Sequence, residues 1–248
     1  MNMQVHLAEV RPYMADSINA GLWGDTKFNI LSSFAYSDDF ETYYSVAENL
    51  LIDSGAFTFQ RKGIKQLDNY LRKYKDFISK YHEYPNVHFF EMDIDNVIGY
   101  DKVLEIRSDL LEITDKIIPV WHKSLGLGEY KRMCQTYPYV AFSGVNKEDL
   151  LNPEQMYHFV EYAHKHGARV HGLGVCAKRT IYKVPFDSVD GTSWFVGVRY
   201  GRYGRNKLSK EYMDKNYKKI GLLNLIQGVK IAKEIEEYWR KKQRTNKN

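Results

Sequence analysis

The sequence predicts an α/β barrel, and three observations point there. Short apolar runs alternate with helical periods from residue 28 to residue 195. Most of these runs lack strict apolar-polar alternation, as strands buried on both faces of a parallel sheet do. Polar residues close five of the seven runs, which is where ligands bind in parallel α/β folds. Seven or eight strand-helix units favour closure into a (β/α)8 barrel, with an open doubly wound sheet as the alternative. The 248 residues, 44% hydrophobic and 27% charged, suit one such domain.

The expected strands are FNILSSFAY at 28–36, NLLIDSGAF at 49–57, VHFFEMDID at 87–95, KIIPVWH at 116–122, YVAFSGV at 139–145, ARVHGLGV at 168–175 and FDSVDGTSWF at 186–195. Helical periods lie between them at 41–48, 64–82, 101–114, 127–136 and 153–166. Asn152, Pro153 and Glu154 form a capped helix start, and Gly167 stands where a helix ends. From residue 207 the pattern becomes helical, with a break expected near Gly221. The division is therefore a barrel over 1–206 and a helical extension over 207–248 of the same domain.

No run approaches the roughly 20 apolar residues of a membrane helix, and the first residues lack the order of a signal peptide. A cytoplasmic protein without membrane contact is expected, in a host cell's cytoplasm if phage-encoded. Cys134 and Cys176 stand far apart without C-x-x-C spacing, so neither a disulfide scaffold nor a cysteine-rich zinc site is expected from them. The leading reading expects no metal and no cofactor. The net charge of +5 is modest, but basic residues crowd together after the last expected strand: Arg199, Arg202, Arg205 and Lys207, interleaved with Tyr200 and Tyr203. Such a cluster is either a solvated face or a phosphate-contacting surface.

The chemistry should sit where the strands end. Asp53, Ser54, Gly55 and Phe57 close the second strand, and Asp93 and Asp95 the third; Trp121 and His122 close the fourth, Ser143 and Gly144 the fifth, and Asp187 and Asp190 lie in the seventh. A single aspartate there is an ordinary helix cap. Several in one barrel mouth repel unless they bind a metal, hold substrate donors or carry raised pKa values. Gly55, Gly144, Gly172 and Gly174 leave room for a flat ligand or make tight turns, and nearby aromatic rings could stack on a base.

With LIDSGAF and FDSVDGTSW in view, the sequence resembles the tRNA-guanine transglycosylases, and more closely the phage and bacterial DNA-modifying branch called DpdA. The first motif is similar to the family's D-S-G-G-F-Q and implies Asp53 as the proton-transfer group, with Ala56 replacing the second glycine and no Gln following Phe57. FEMDIDN matches the strand whose aspartate grips guanine, leaving Asp93 and Asp95 both open. AFSGV resembles the segment whose backbone contacts the base, giving Ser143, Gly144 and Val145; VHGLGV resembles a Met-Gly-Val-Gly turn, giving Gly172, Leu173 and Gly174. For the nucleophile, literal matching of Phe186-Asp187-Ser188 selects Asp187. The family distance from Gly174, 16 residues to Asp190 against 13 to Asp187, selects Asp190.

The resemblance covers about residues 28 to 200 and rests on the order of short motifs. It implies exchange of guanine in DNA for a 7-deazaguanine base, such as 7-cyano-7-deazaguanine, through a covalent aspartyl intermediate. The C-x-C-x-x-C zinc site of the tRNA enzymes is absent, as two cysteines require. Together with the lack of room for an added RNA-binding domain, this makes DNA the expected partner and tRNA the lesser one. The other readings are a metal-dependent barrel hydrolase using His122 and His171, and a non-catalytic nucleic-acid-binding protein; the oligomeric state stays open.

Overall fold

The computed structural model describes residues 3–22, 24, 26–56, 66–143, 151–200, 202–203 and 206–245. Nine parallel strands form one sheet: β1 (Gln4–Ala8), β2 (Phe28–Ser33), β3 (Ala47–Asp53), β4 (Val87–Phe90), β5 (Ile117–Ile118), β6 (Val120–Trp121), β7 (Tyr139–Ser143), β8 (Arg169–Leu173) and β9 (Ser188–Gly191). Their spatial order is β5-β4-β3-β2-β1-β9-β8-β7-β6. The two ends of that order, β5 and β6, are halves of a single strand separated by Pro119, which has no N–H to give to a ladder. Ile118 pairs with Phe90 on one side and Val120 with Ala141 on the other, so the sheet closes into an eight-stranded (β/α)8 barrel.

The join is stitched unusually. The Glu91 N–H donates to the Ile118 carbonyl at 3.1 Å, and the Ala141 N–H donates to the Pro119 carbonyl at 2.8 Å. Between them, the Val120 N–H donates to the Glu91 carboxylate at 2.5 Å, so a side chain supplies one rung. The same carboxylate takes a two-pronged bond from Arg107, at 2.6 and 2.9 Å, with both side chains 1% exposed.

Helices cover the outside: α1 (Pro12–Ser17), α2 (Phe40–Val46), α3 (Leu67–Tyr81), α4 (Asp95–Ile98), α5 (Tyr100–Leu111), α6 (Gly126–Thr136), α7 (Pro153–Lys165), α8 (Lys178–Ile181), α9 (Val196–Arg199) and α10 (Lys210–Thr245). The helix start expected at Pro153 is capped as its sequence suggests: Asn152 accepts from the Glu154 and Gln155 amides, and the Gln155 side chain accepts from the Asn152 amide.

Three expectations are corrected. β1 lies before the region read as regular, because QVHLA is short and places a histidine among its apolar residues. The strands are shorter than the apolar runs, since several runs continue into the turns above the barrel. Gly221 does not break the last helix, which runs unbroken from Lys210 to Thr245. A β-carbon there would meet the Tyr13 hydroxyl at 2.0 Å, so this glycine serves close packing against α1.

The twofold alternation of strand side chains organises the interior. Ala8, Leu31, Leu51, Phe90, Ile118, Val120 and Ala141 form an apolar layer inside the barrel. Two positions further along β2, β3, β6 and β7 the inward residue becomes polar: Ser33, Asp53, His122 and Ser143. The apolar layer is thereby a floor, and the polar layer the wall of whatever stands above it. Outward residues pack beneath the helices, and α10 lays Leu225, Val229, Ala232, Ile235 and Trp239 into these outer cores. Among the described residues no helix is long and apolar enough to cross a membrane.

Candidate active site

A cavity of about 510 Å³ opens at the C-terminal ends of the strands, above the apolar floor. Strand ends or the turns that follow them contribute to its wall all the way round the barrel, from Ala8 and Glu9 at the end of β1, through Asp93 after β4 and His122 after β6, to Asp190 and Thr192 at the end of β9. Of the residues singled out in the sequence, Asp53, Asp93, His122, Ser143, Leu173, Gly174, Asp190 and Arg199 line it. A smaller cavity of about 250 Å³ lies behind the sheet between β1, β9 and α10, and its described wall is largely apolar.

Asp190 is the last inward residue of β9 and is 8% exposed. Two donors converge on its Oδ1: the Gly174 N–H at 2.6 Å and Nε2 of His171 at 3.2 Å. Asp187 immediately precedes the same strand at its opposite end. Its Oδ2 accepts from the Val170 N–H at 2.7 Å and meets Nε2 of His164 at 2.9 Å, and its backbone carbonyl takes the Gln4 N–H. Asp187 therefore ties β8, α7 and β1 together at the closed end and is not in the cavity wall.

Asp53 ends β3 in a turn that its own carboxylate stabilises, accepting from the Gly55 N–H at 3.0 Å. Gly55 has φ +72°, and a β-carbon would meet the Tyr70 hydroxyl at 2.4 Å, so the glycine answers to the turn and to α3. Burial raises the Asp53 pKa, the Gly55 hydrogen bond opposes the rise, and the charge of Asp190 adds to it. Asp93 is raised well above the ordinary carboxylate range, by burial first and then by the negative charges of Asp53 and Glu91. Asp95 instead opens α4; its Oδ1 lies 3.6 Å from Nε2 of His122, while Oδ2 of Asp93 lies 3.8 Å from the same nitrogen. Only Asp93 of this pair lines the cavity.

The remaining candidates separate by facing. Trp121 points outward, edge-on to Tyr130 at 5.4 Å, with its indole N–H on the Gly126 carbonyl. The open side of Gly172 faces Val175 and Phe186 in the outer core, not a ligand. Ser54 is fully buried outside the cavity wall. Arg202 and Lys207 pair across a small exposed hairpin, β10 (Arg202–Tyr203) with β11 (Asn206–Lys207), away from the cavity wall. Phe57, Gly144, Val145 and Arg205 fall outside the described residues.

Sequence reasoning missed the rim formed after β1. Glu9, a non-glycine residue at φ +66°, holds Arg11 Nη2 at 2.5 Å on one carboxylate oxygen and Arg199 Nη2 at 3.4 Å on the other. Arg11 also donates to the Tyr36 hydroxyl at 2.8 Å, and Tyr36 and Glu9 line the cavity. Two guanidiniums and an exposed ring thus stand at the mouth above three aspartates. Ser33 was also missed, although its place two residues beyond the inward Leu31 would have identified it.

No family model matches the chain, and no curated protein does. Among solved structures, a novel GH10 endoxylanase retrieved from a sugarcane soil metagenome is similar with a TM-score of 0.47 and 11% identity, over 90% of this chain and 96% of that one. A fructose-bisphosphate aldolase from Campylobacter jejuni is similar with a TM-score of 0.39 and 10% identity, over 95% and 90%.

Proposed function

We propose that this chain is a base-exchange enzyme, a DNA-guanine transglycosylase that replaces guanine in DNA by a 7-deazaguanine. The observation that carries the reading is the gathering of Asp53, Asp93 and Asp190 in one cavity, with two donors fixing one oxygen of Asp190 and a raised pKa on its neighbour Asp53. Displacing a base at C1′ passes through an oxocarbenium-like state, for which a carboxylate nucleophile beside a carboxylic acid is a fitting pair.

In this mechanism Oδ2 of Asp190 attacks C1′ as the C1′–N9 bond breaks. The bonding electrons leave with guanine, which receives the Asp53 proton. The incoming base returns that balance: the Asp53 carboxylate takes its N9 proton, N9 attacks C1′, and Asp190 is released. As the carboxylate, Asp93 accepts from N1–H and the exocyclic amine of guanine-like bases, a pattern adenine lacks, and these two donors favour its ionised form against the burial that raises its pKa. The target nucleotide must leave its stack to reach such a cavity, and Arg11 and Arg199 at the mouth suit the flanking phosphates.

The test incubates the purified protein with single-stranded DNA, duplex DNA and tRNA, together with labelled guanine or 7-cyano-7-deazaguanine, and analyses nucleosides by mass spectrometry. Exchange into DNA is expected. Asp53→Asn should lower kcat about 10²- to 10⁴-fold. Asp190→Asn should abolish exchange and the covalent protein-DNA adduct seen on denaturing gels, whereas Asp187→Asn should retain both. Exchange confined to tRNA rejects the choice of nucleic acid, and no exchange into any of the three rejects the activity.

A further inference from the structure

Behind Asp190 lies a row of buried polar side chains that the base-exchange mechanism does not use. His171 on β8 is 0% exposed and stands in register with Ser188 on β9. Its Nδ1 is 2.5 Å from Ser188 Oγ, its Nε2 is 3.2 Å from Asp190 Oδ1, and Ser188 Oγ in turn bonds the hydroxyl of Tyr139 on β7, two strands away. Packing fixes the imidazole plane: the Phe90 ring lies 5.1 Å away and the His6 ring meets it edge-on at 6.0 Å. Neither His171, Ser188 nor Tyr139 is in the cavity wall, so none of them is placed to touch substrate.

The proton directions follow from the partners. Nε2 faces a carboxylate oxygen, which only accepts, so Nε2 carries the hydrogen. In the Nε2–H tautomer Nδ1 accepts from the Ser188 hydroxyl, and Ser188 accepts from Tyr139. Burial pushes the Tyr139 phenol up to about 12, which keeps it a donor at the start of the row. The reverse direction would leave an unprotonated Nε2 against the carboxylate with no hydrogen between them.

We propose that His171 is a positioning residue for Asp190, with its tautomer set by Ser188 and Tyr139. The inference rests on the reading of Asp190 as nucleophile. With the Gly174 N–H and the His171 Nε2–H both on Oδ1, the carboxylate plane is fixed, and Oδ2, engaged by no described residue, is the oxygen left to attack. The arrangement does for an aspartate what an orienting carboxylate does for a catalytic histidine.

The test measures exchange kinetics, single-turnover adduct formation and thermal melting for His171→Phe, His171→Gln, Ser188→Ala and the Ser188→Ala/His171→Phe pair. His171→Phe keeps the ring volume and removes the donor. It should lower kcat and the adduct rate by about 10- to 100-fold, as loss of an outer partner does, with KM unchanged. His171→Gln, which retains an N–H donor, should recover part of the rate. Ser188→Ala should lower the rate in the wild-type background and have no further effect on His171→Phe, because it acts through that ring. An unchanged kcat in folded His171→Phe, a change in KM alone, or an undiminished Ser188→Ala effect in the double variant would overturn the proposal.

Imidazole ¹⁵N shifts of the wild-type protein give a readout that needs no turnover. A protonated Nε2 with an unprotonated Nδ1 supports the assignment, and the opposite tautomer overturns it. If wild-type protein exchanges no base, the proposed function fails on its own while the ¹⁵N result still decides the tautomer.

Discussion

Asp93 is the residue on which the cost of this cavity falls most plainly. Its carboxyl pKa is raised well above the usual value by burial and by the neighbouring charges of Asp53 and Glu91. A raised folded-state pKa means that the folded protein binds this proton more tightly than the unfolded chain. The stability it contributes is present below the unfolded carboxylate pKa and is lost as pH rises through the folded one. Asp93→Asn should therefore melt at a higher temperature than the wild type near pH 8, with the difference shrinking toward pH 4, and the proposed base exchange should fall. Melting curves at the two pH values check this, and a pH-independent difference would be the contrary result. Legibility in the sequence follows the same physics. Asp53 could be found because it follows an apolar run, whereas Asp187 and Asp190 lie in one run and only the spacing from Gly174 and the resemblance favoured Asp190. The structure separates the two physically: Asp190 lines the cavity, and Asp187 is tied to His164 outside its wall. The row behind Asp190 could not be found, since placing His171 beside Ser188 requires the register between β8 and β9, which no local pattern contains.

At the scale of elements, periodicity placed the helices 67–81, 100–111, 126–136 and 153–165 to within a few residues. It failed where tertiary packing overrides local preference: at β1, and at Gly221 inside α10. The Glu91–Arg107 pair illustrates a joint that only three dimensions reveal, because it links β4, α5 and the first N–H of β6. Removing one member of such a pair leaves a buried charge unpaired. Arg107→Met should cost about 3–5 kcal/mol in denaturant unfolding, and adding Glu91→Gln should restore part of that loss. Equal destabilisation by the single and double variants would show that packing, not charge, sets the cost.

Across the whole molecule, the first and last strands meet and α10 seals them. Glu236 on that helix accepts from the Val5 N–H at 2.9 Å and from Asn29 Nδ2 at 2.8 Å, while Trp239 donates to the Ile181 carbonyl at 2.9 Å. The helix also covers outer residues of β1 and β9. A chain ending before Lys210 should accordingly accumulate as insoluble protein, whereas surface changes such as Lys241→Ala should leave yield and melting within about 0.5 kcal/mol of wild type. Recovery of a soluble, cooperatively melting fragment would contradict this role for α10.

The break at Pro119 divides the cylinder into two half-shells with unequal seams. Along one, β1 and β9 meet over four residue pairs; along the other, the halves share a single strand whose middle residue cannot donate. The second seam works as a clasp, fastened by the Glu91 side chain at Val120. The cavity is thus bounded by a backbone-paired seam along one wall and by a seam fastened through a side chain along the opposite one, with Glu91 one residue past Phe90 and two before Asp93.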